Sequence, residues 1–109
     1  MIKLAGVESC KILAELLADL IPGGAVFGLV EKDTFVWVKE TSAFRLDVIK
    51  VGNKLHEDTT TMRSIREKRV LTENIPRAVY GKRVTLVSIP VLNDDGDAVG
   101  ALSVGDNIT

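Results

Sequence analysis

Cys10 is the only cysteine in the chain, so no intramolecular disulfide can form and none holds the fold together. That usage fits a reducing compartment, and a cytoplasmic location is expected. Charge of one sign is also lacking: 14 basic residues face 15 acidic ones, interspersed, for a net charge of -1. Such a balance gives no broad positive field to hold phosphate backbones, which argues against a nucleic-acid partner. Long apolar runs are missing too. The most apolar stretch, at the N-terminus, is broken by Glu8, Lys11, Glu15 and Asp19, so neither a signal peptide nor a membrane-inserting segment is read there. Catalytic signatures are equally absent: the sequence has no G-x-S-x-G elbow, no phosphate-binding G-x-x-x-x-G-K-[ST] and no H-E-x-x-H. Cys10 and His56 are the one conceivable nucleophile and base, and a core cysteine with a loop histidine is the plainer reading. His56-Glu57-Asp58 offers three metal-capable side chains, but neighbours in sequence point apart, so no metal site is read from them. A non-catalytic role is expected.

What the chain does have is one domain's worth of amphipathic elements. At 109 residues and 46% hydrophobic content it can bury a single core, with residues 1–22 as an N-terminal helix region and 23–109 as the body. From Val7 to Leu20, Cys10, Leu13, Leu17 and Leu20 recur at three- and four-residue steps opposite Glu8, Lys11, Glu15 and Asp19. This is an amphipathic helix, stopped by Pro22-Gly23-Gly24. Its stripe either covers its own sheet or meets a second copy, and a homodimer through Cys10, Leu13, Leu17 and Leu20 is expected. Residues 25–40 read as a β-hairpin turning at Glu31-Lys32-Asp33, with Phe35 and Trp37 on one face and Val36 and Val38 on the other. Apolar residues on both faces imply a sheet covered on both sides. Thr41 to Lys54 is irregular. Asp58-Thr59-Thr60-Thr61 then opens a short helix closed by Arg66, Lys68 and Arg69. Strands are expected from Val70 to Glu73, Arg83 to Leu92 and Ala98 to Val104, the last two joined by the turn Asn93-Asp94-Asp95-Gly96-Asp97. The order predicts an α+β fold, a five-stranded antiparallel sheet with helices packed on it.

This order is similar to that of PAS, GAF and Cache-type sensor domains, which share a profilin-like outline. Phe44-Arg45-Leu46 followed by Val51-Gly52-Asn53-Lys54-Leu55 resembles the helical middle of PAS domains, with its "G-x-x-L" step. The run from Ser88 to Val104 resembles their closing hairpin: a Pro-containing strand, an acidic-Gly turn, then "G-x-x-S-V". Together with Ile21-Pro22-Gly23-Gly24-Ala25-Val26 and Ile75-Pro76-Arg77-Ala78-Val79-Tyr80-Gly81, the pattern is similar to sensing regions of bacterial methyl-accepting chemotaxis proteins and related transducers. The long heptad-repeat helices of chemoreceptors have no counterpart in this sequence. The resemblance implies a PAS-like input domain that binds a small molecule, with an output domain elsewhere. The chain stops directly after a strand, as a piece of a longer protein would.

Candidate ligand contacts come from polar residues in apolar surroundings. Ser88 and Ser103 interrupt otherwise apolar strands, and Arg77, Tyr80 and Arg83 cluster before the central strand. Buried hydroxyls need partners, and two arginines can clamp a carboxylate or else lie solvated at a sheet edge. Trp37 is core or pocket wall, and Phe44 stands at the head of the helical middle. A cavity is expected between the sheet and the segment from Phe44 to Ile65, with a serine hydroxyl inside and an arginine at its mouth. A haem held by His56 is the one cofactor that the resemblance admits. The rival reading is a dimerisation module of the same fold without a ligand.

Overall fold

A computed structural model describes residues 7–18, 20–21, 25–40, 49–80 and 83–107. Along the chain these form α1 (Val7–Ala18), β1 (Ala25–Glu31), β2 (Thr34–Glu40), α2 (Thr60–Glu67), β3 (Leu71–Ile75), α3 (Arg77–Tyr80), β4 (Val84–Leu92) and β5 (Ala98–Asn107). The strands make one antiparallel sheet in the order β2-β1-β5-β4-β3, the five-stranded α+β arrangement that the element order predicts. Element ends differ by a few residues from the sequence reading. The first helix stops at Ala18, β3 runs on to Ile75 and β5 to Asn107. No helix among the described residues is long and apolar enough to cross a membrane.

Local chemistry explains both hairpins. Between β4 and β5, Asn93 Oδ1 accepts the backbone N–H groups of Asp95 (3.0 Å) and Asp97 (2.9 Å), while Gly96 takes the positive φ of 83°. Between β1 and β2 the turn is Lys32-Asp33, with Lys32 at φ 57°.

Central strands have two covered faces. Six of the seven residues of β1 are buried, and they alternate between the two faces of the sheet. Val26 and Val30 face inward with Phe35, Ile49 and Val84, under Leu55 and Ile65. Ala25, Phe27 and Leu29 face outward, against α1 through Ala14 and Cys10. Fully burying an apolar side chain of this size stabilises by roughly 1.5–3 kcal/mol, so both layers matter to the fold.

The structure corrects two expectations. Phe35 and Trp37 do not share a face. The register passes from Leu29 opposite Trp37 to Val30 opposite Phe35, so Val36 is an extra residue in β2. This β-bulge breaks the alternation. Phe35 and Val38 therefore face the α2 side, Trp37 packs on the α1 side, and Val36 is left exposed. The helical stripe is also used differently. Cys10 is fully buried, and Leu13 and Leu17 are half-buried, all against the chain's own sheet, whereas Leu20 is exposed beyond the helix. Among the described side chains of α1, the large apolar ones left in the open are Ile12 and Leu16.

Residues 41–48 of the expected irregular stretch lie outside the described residues. Residues 49–55 form a strap bonded to β2 and its turn. Phe35 N–H donates to Asn53 O (3.0 Å), Gly52 N–H to Phe35 O (2.9 Å) and Leu55 N–H to Asp33 O (2.7 Å). The strap delivers the chain to α2, which Thr59 caps: its Oγ1 accepts Met62 N–H at 3.3 Å and donates to His56 O at 2.9 Å.

Candidate functional site

The inner face of the sheet carries a polar row in its middle. Ser103 on β5 lies directly opposite Ser88 on β4 and, on its other side, opposite Gly28 on β1. Above the row stands α2, whose buried face is made of Thr61 and Ser64 beside half-buried Ile65. Thr61 Oγ1 lies 2.9 Å from Ser88 Oγ and 2.9 Å from Ser103 Oγ, and Ser64 Oγ donates to the Ser88 carbonyl at 3.3 Å. All four side chains are essentially inaccessible to water. An unsatisfied hydroxyl there costs about 1–3 kcal/mol, so the cluster ties α2 to the two central strands by mutual satisfaction.

Beside this cluster a cavity of about 570 Å³ opens between the sheet and the strap. Its floor is apolar, formed by Phe35, Ile49, Leu55, Ile75 and Leu86, and Ser103 reaches into it. Its rim is polar, with Thr59, Thr60, Asp58, His56, Lys54 and Glu73. Thr60 Oγ1 donates to a Glu73 carboxylate oxygen, closing α2 onto β3 at the rim. Lys54 Nζ sits 3.6 Å from Asp33 Oδ2, an exposed pair that contributes little to stability. Cavities of this size with a few placed polar groups are typical of small-molecule sites. Glycine at position 28 shapes the same region. A Cβ there would lie 2.5 Å from the Phe35 ring and 2.7 Å from Ile49, so those two side chains occupy the room that a residue at 28 would need.

Of the residues singled out from sequence, Ser103 lines the cavity and Ser88 is linked to it through Thr61. The others are placed differently. Trp37 packs on the opposite face of the sheet because of the bulge. Arg77 on α3 and Arg83 before β4 are exposed, and neither is among the described residues that line the cavity. The expected arginine clamp at its mouth is therefore not formed; Asp58, Glu73 and Lys54 carry the rim charge instead. Phe44 and the side chain of Tyr80 lie outside the described residues.

His56 is on the rim with its side chain 73% exposed, and its Nδ1 accepts the Asp58 N–H at 3.3 Å. The same Nδ1 lies 3.4 Å from Asp58 Oδ2. No cluster of metal-binding side chains occurs among the described residues. Cys10 stands on the far side of the sheet, where burial raises its thiol pKa.

Sequence reading missed Thr61, Phe35 and Leu86 as site residues. Thr61 was visible only as part of a helix start, although its spacing to Ser64 and Ile65 puts all three on one helix face.

The chain is similar in structure to a sensory box sensor histidine kinase from Vibrio cholerae. The likeness covers 94% of this chain and 91% of that one, with a TM-score of 0.59 and 16% identity. It establishes the PAS-like fold. No protein-family model matches the sequence, and no curated protein does.

Proposed function

We propose that this chain is the ligand-sensing input domain of a bacterial signal-transduction protein, non-catalytic and cytoplasmic. A small molecule is bound between the inner face of the sheet and the segment from Ile49 to Thr61. The single observation that carries the reading is the cavity of about 570 Å³ with an apolar floor, a polar rim and two buried hydroxyl residues, Thr61 and Ser103. Occupancy acts on signalling by shifting the populations of conformers in which α2 and the strap sit differently on the sheet. For the output, fold likeness points to a sensor kinase. The chemoreceptor alternative rests on the sequence of the closing hairpin from Ser88 to Val104 taken together with the runs Ile21 to Val26 and Ile75 to Gly81.

Native mass spectrometry of the protein purified from bacterial cells tests the reading, with Leu86→Trp as the plugged control. An adduct of small-molecule mass on the wild type, lost in the variant, supports it. If the wild type carries no adduct and gives no fluorescence enhancement with 8-anilinonaphthalene-1-sulfonate, the sensor reading fails.

One observation favours the rival, a dimerisation module. Ile12, Leu16 and Leu20 stand 60%, 62% and 74% exposed at four-residue spacing along and just past α1. A second copy meeting along that stripe would cover them. Sedimentation decides it: a concentration-dependent dimer that Leu16→Glu abolishes supports pairing, and a wild-type monomer at high concentration rejects it.

A further inference from the structure

The hydroxyl cluster limits the chemistry of what the cavity takes. Ser88, Thr61 and Ser103 form a chain of three hydroxyls joined by two hydrogen bonds. Three hydroxyls carry three protons, and two bonds use two of them. One proton is therefore left outside the chain, and a buried hydroxyl proton without an acceptor is unfavourable. The two ends of the chain are not equivalent. Ser88 is sealed between α2 and the sheet, where Ser64 already donates to its carbonyl. Ser103 lines the cavity, and its neighbour on β1 is Gly28, which has no side chain to offer an acceptor. Thr61, between the two serines, also lines the cavity; within the chain it donates to one serine while accepting from the other, so Ser103 is the terminal hydroxyl on the cavity side.

We infer that the ligand is an apolar molecule presenting a neutral hydrogen-bond acceptor, such as a ketone, ester, ether or ring nitrogen, to Ser103 Oγ. An acceptor there takes the spare proton and orders the chain as Ser88→Thr61→Ser103→ligand. A ligand with only a donor would occupy the second Ser103 lone pair and leave the spare proton without an acceptor. Charge is disfavoured at the same spot. Phe35, Ile49 and Leu86 share the floor with Ser103, and an anion desolvated among them would lack a counter-charge. The inference deepens the ligand-sensing reading and rests on it.

The test uses two probes of matched shape, indane and 1-indanone, titrated into the whole chain by NMR. The quantity read is the ratio of their affinities, which removes the common apolar contribution. Ser103→Ala should lower the 1-indanone to indane ratio about tenfold, with indane affinity within about twofold of wild type. Ser103→Cys, which keeps the volume and offers only a weak donor, should lower the ratio similarly and guards against a packing defect in the alanine variant. If indane and 1-indanone both bind but the ratio is the same in wild type and both variants, the inference is overturned while the ligand cavity stands. If neither probe binds the wild type, the ligand-sensing reading fails and takes the inference with it.

Discussion

Thr61 is the residue on which the inner layer turns, because two buried serines depend on one hydroxyl. Replacing it with valine keeps the volume but removes the partner of two almost fully buried hydroxyls, Ser88 Oγ and Ser103 Oγ. Thr61→Val should therefore lower the unfolding free energy by about 2–6 kcal/mol, since each of the two stranded hydroxyls costs about 1–3 kcal/mol. Adding Ser88→Ala and Ser103→Ala should restore most of that loss, because removing all partners leaves nothing unsatisfied. Urea denaturation of the single and triple variants measures both; a triple variant no more stable than Thr61→Val would show that packing dominates. The serines were legible in sequence as hydroxyls inside apolar strands. Their partner was not, since it lies 27 residues from one and 42 from the other, and only strand register and helix docking bring the three together.

Among the elements, α2 and β2 show where pattern reading works and where it stops. The start of α2 was readable because threonine is a good N-cap and the Asp58–Thr61 run is polar. Its end was readable from the basic run Arg66, Lys68 and Arg69, but that a lysine rather than a glycine would leave the helix was not. Lys68 adopts the left-handed conformation at φ 54°, ψ 42°, and its N–H donates to Ser64 O. A side chain in that conformation costs about 1–2 kcal/mol relative to glycine. Lys68→Gly should therefore stabilise the chain by about 1 kcal/mol. Only the exposed ion pair to Asp97 at 3.9 Å is lost, which is worth little. Thermal unfolding checks the sign, and a lower Tm would contradict the account. In β2 the bulge at Val36 was invisible, because every residue of Phe35-Val36-Trp37-Val38 suits a strand and alternation alone pairs Phe35 with Trp37. That single extra residue moved Trp37 away from the candidate site and brought Phe35 into its floor.

At the scale of the molecule, the sheet is one slab with two coats; its antiparallel pairing was implied by the hairpins at either end of the chain, whereas the placing of β1 beside β5 was not. The coat that holds the cavity was legible, since the segment from Phe44 to Ile65 is where a cavity is expected and residues of that segment from Ile49 to Thr61 line it. The two coats share β1, β4 and β5, which predicts that damage on one side is felt on the other. Cys10 supplies the reporter. Its side chain is fully buried against Leu29 and Val91, and burial raises its pKa, so both access and thiolate content suppress its reaction with a thiol reagent in the folded state. Because a raised thiol pKa favours the folded protein only while the thiol is protonated, that contribution is full below the ordinary thiol pKa. It declines as pH rises through the raised value. If α1 lifted away alone, it would expose Phe27, Leu29 and Leu102 together, so its release should accompany loss of the whole fold. Labelling of Cys10 by 5,5′-dithiobis(2-nitrobenzoate) at pH 8 should then follow global opening. Thr61→Val, on the opposite face, should speed it about tenfold for each 1.4 kcal/mol of stability that the variant loses. A labelling rate unmoved by Thr61→Val would mean that α1 opens independently of the inner layer, and that the two coats are not one cooperative unit.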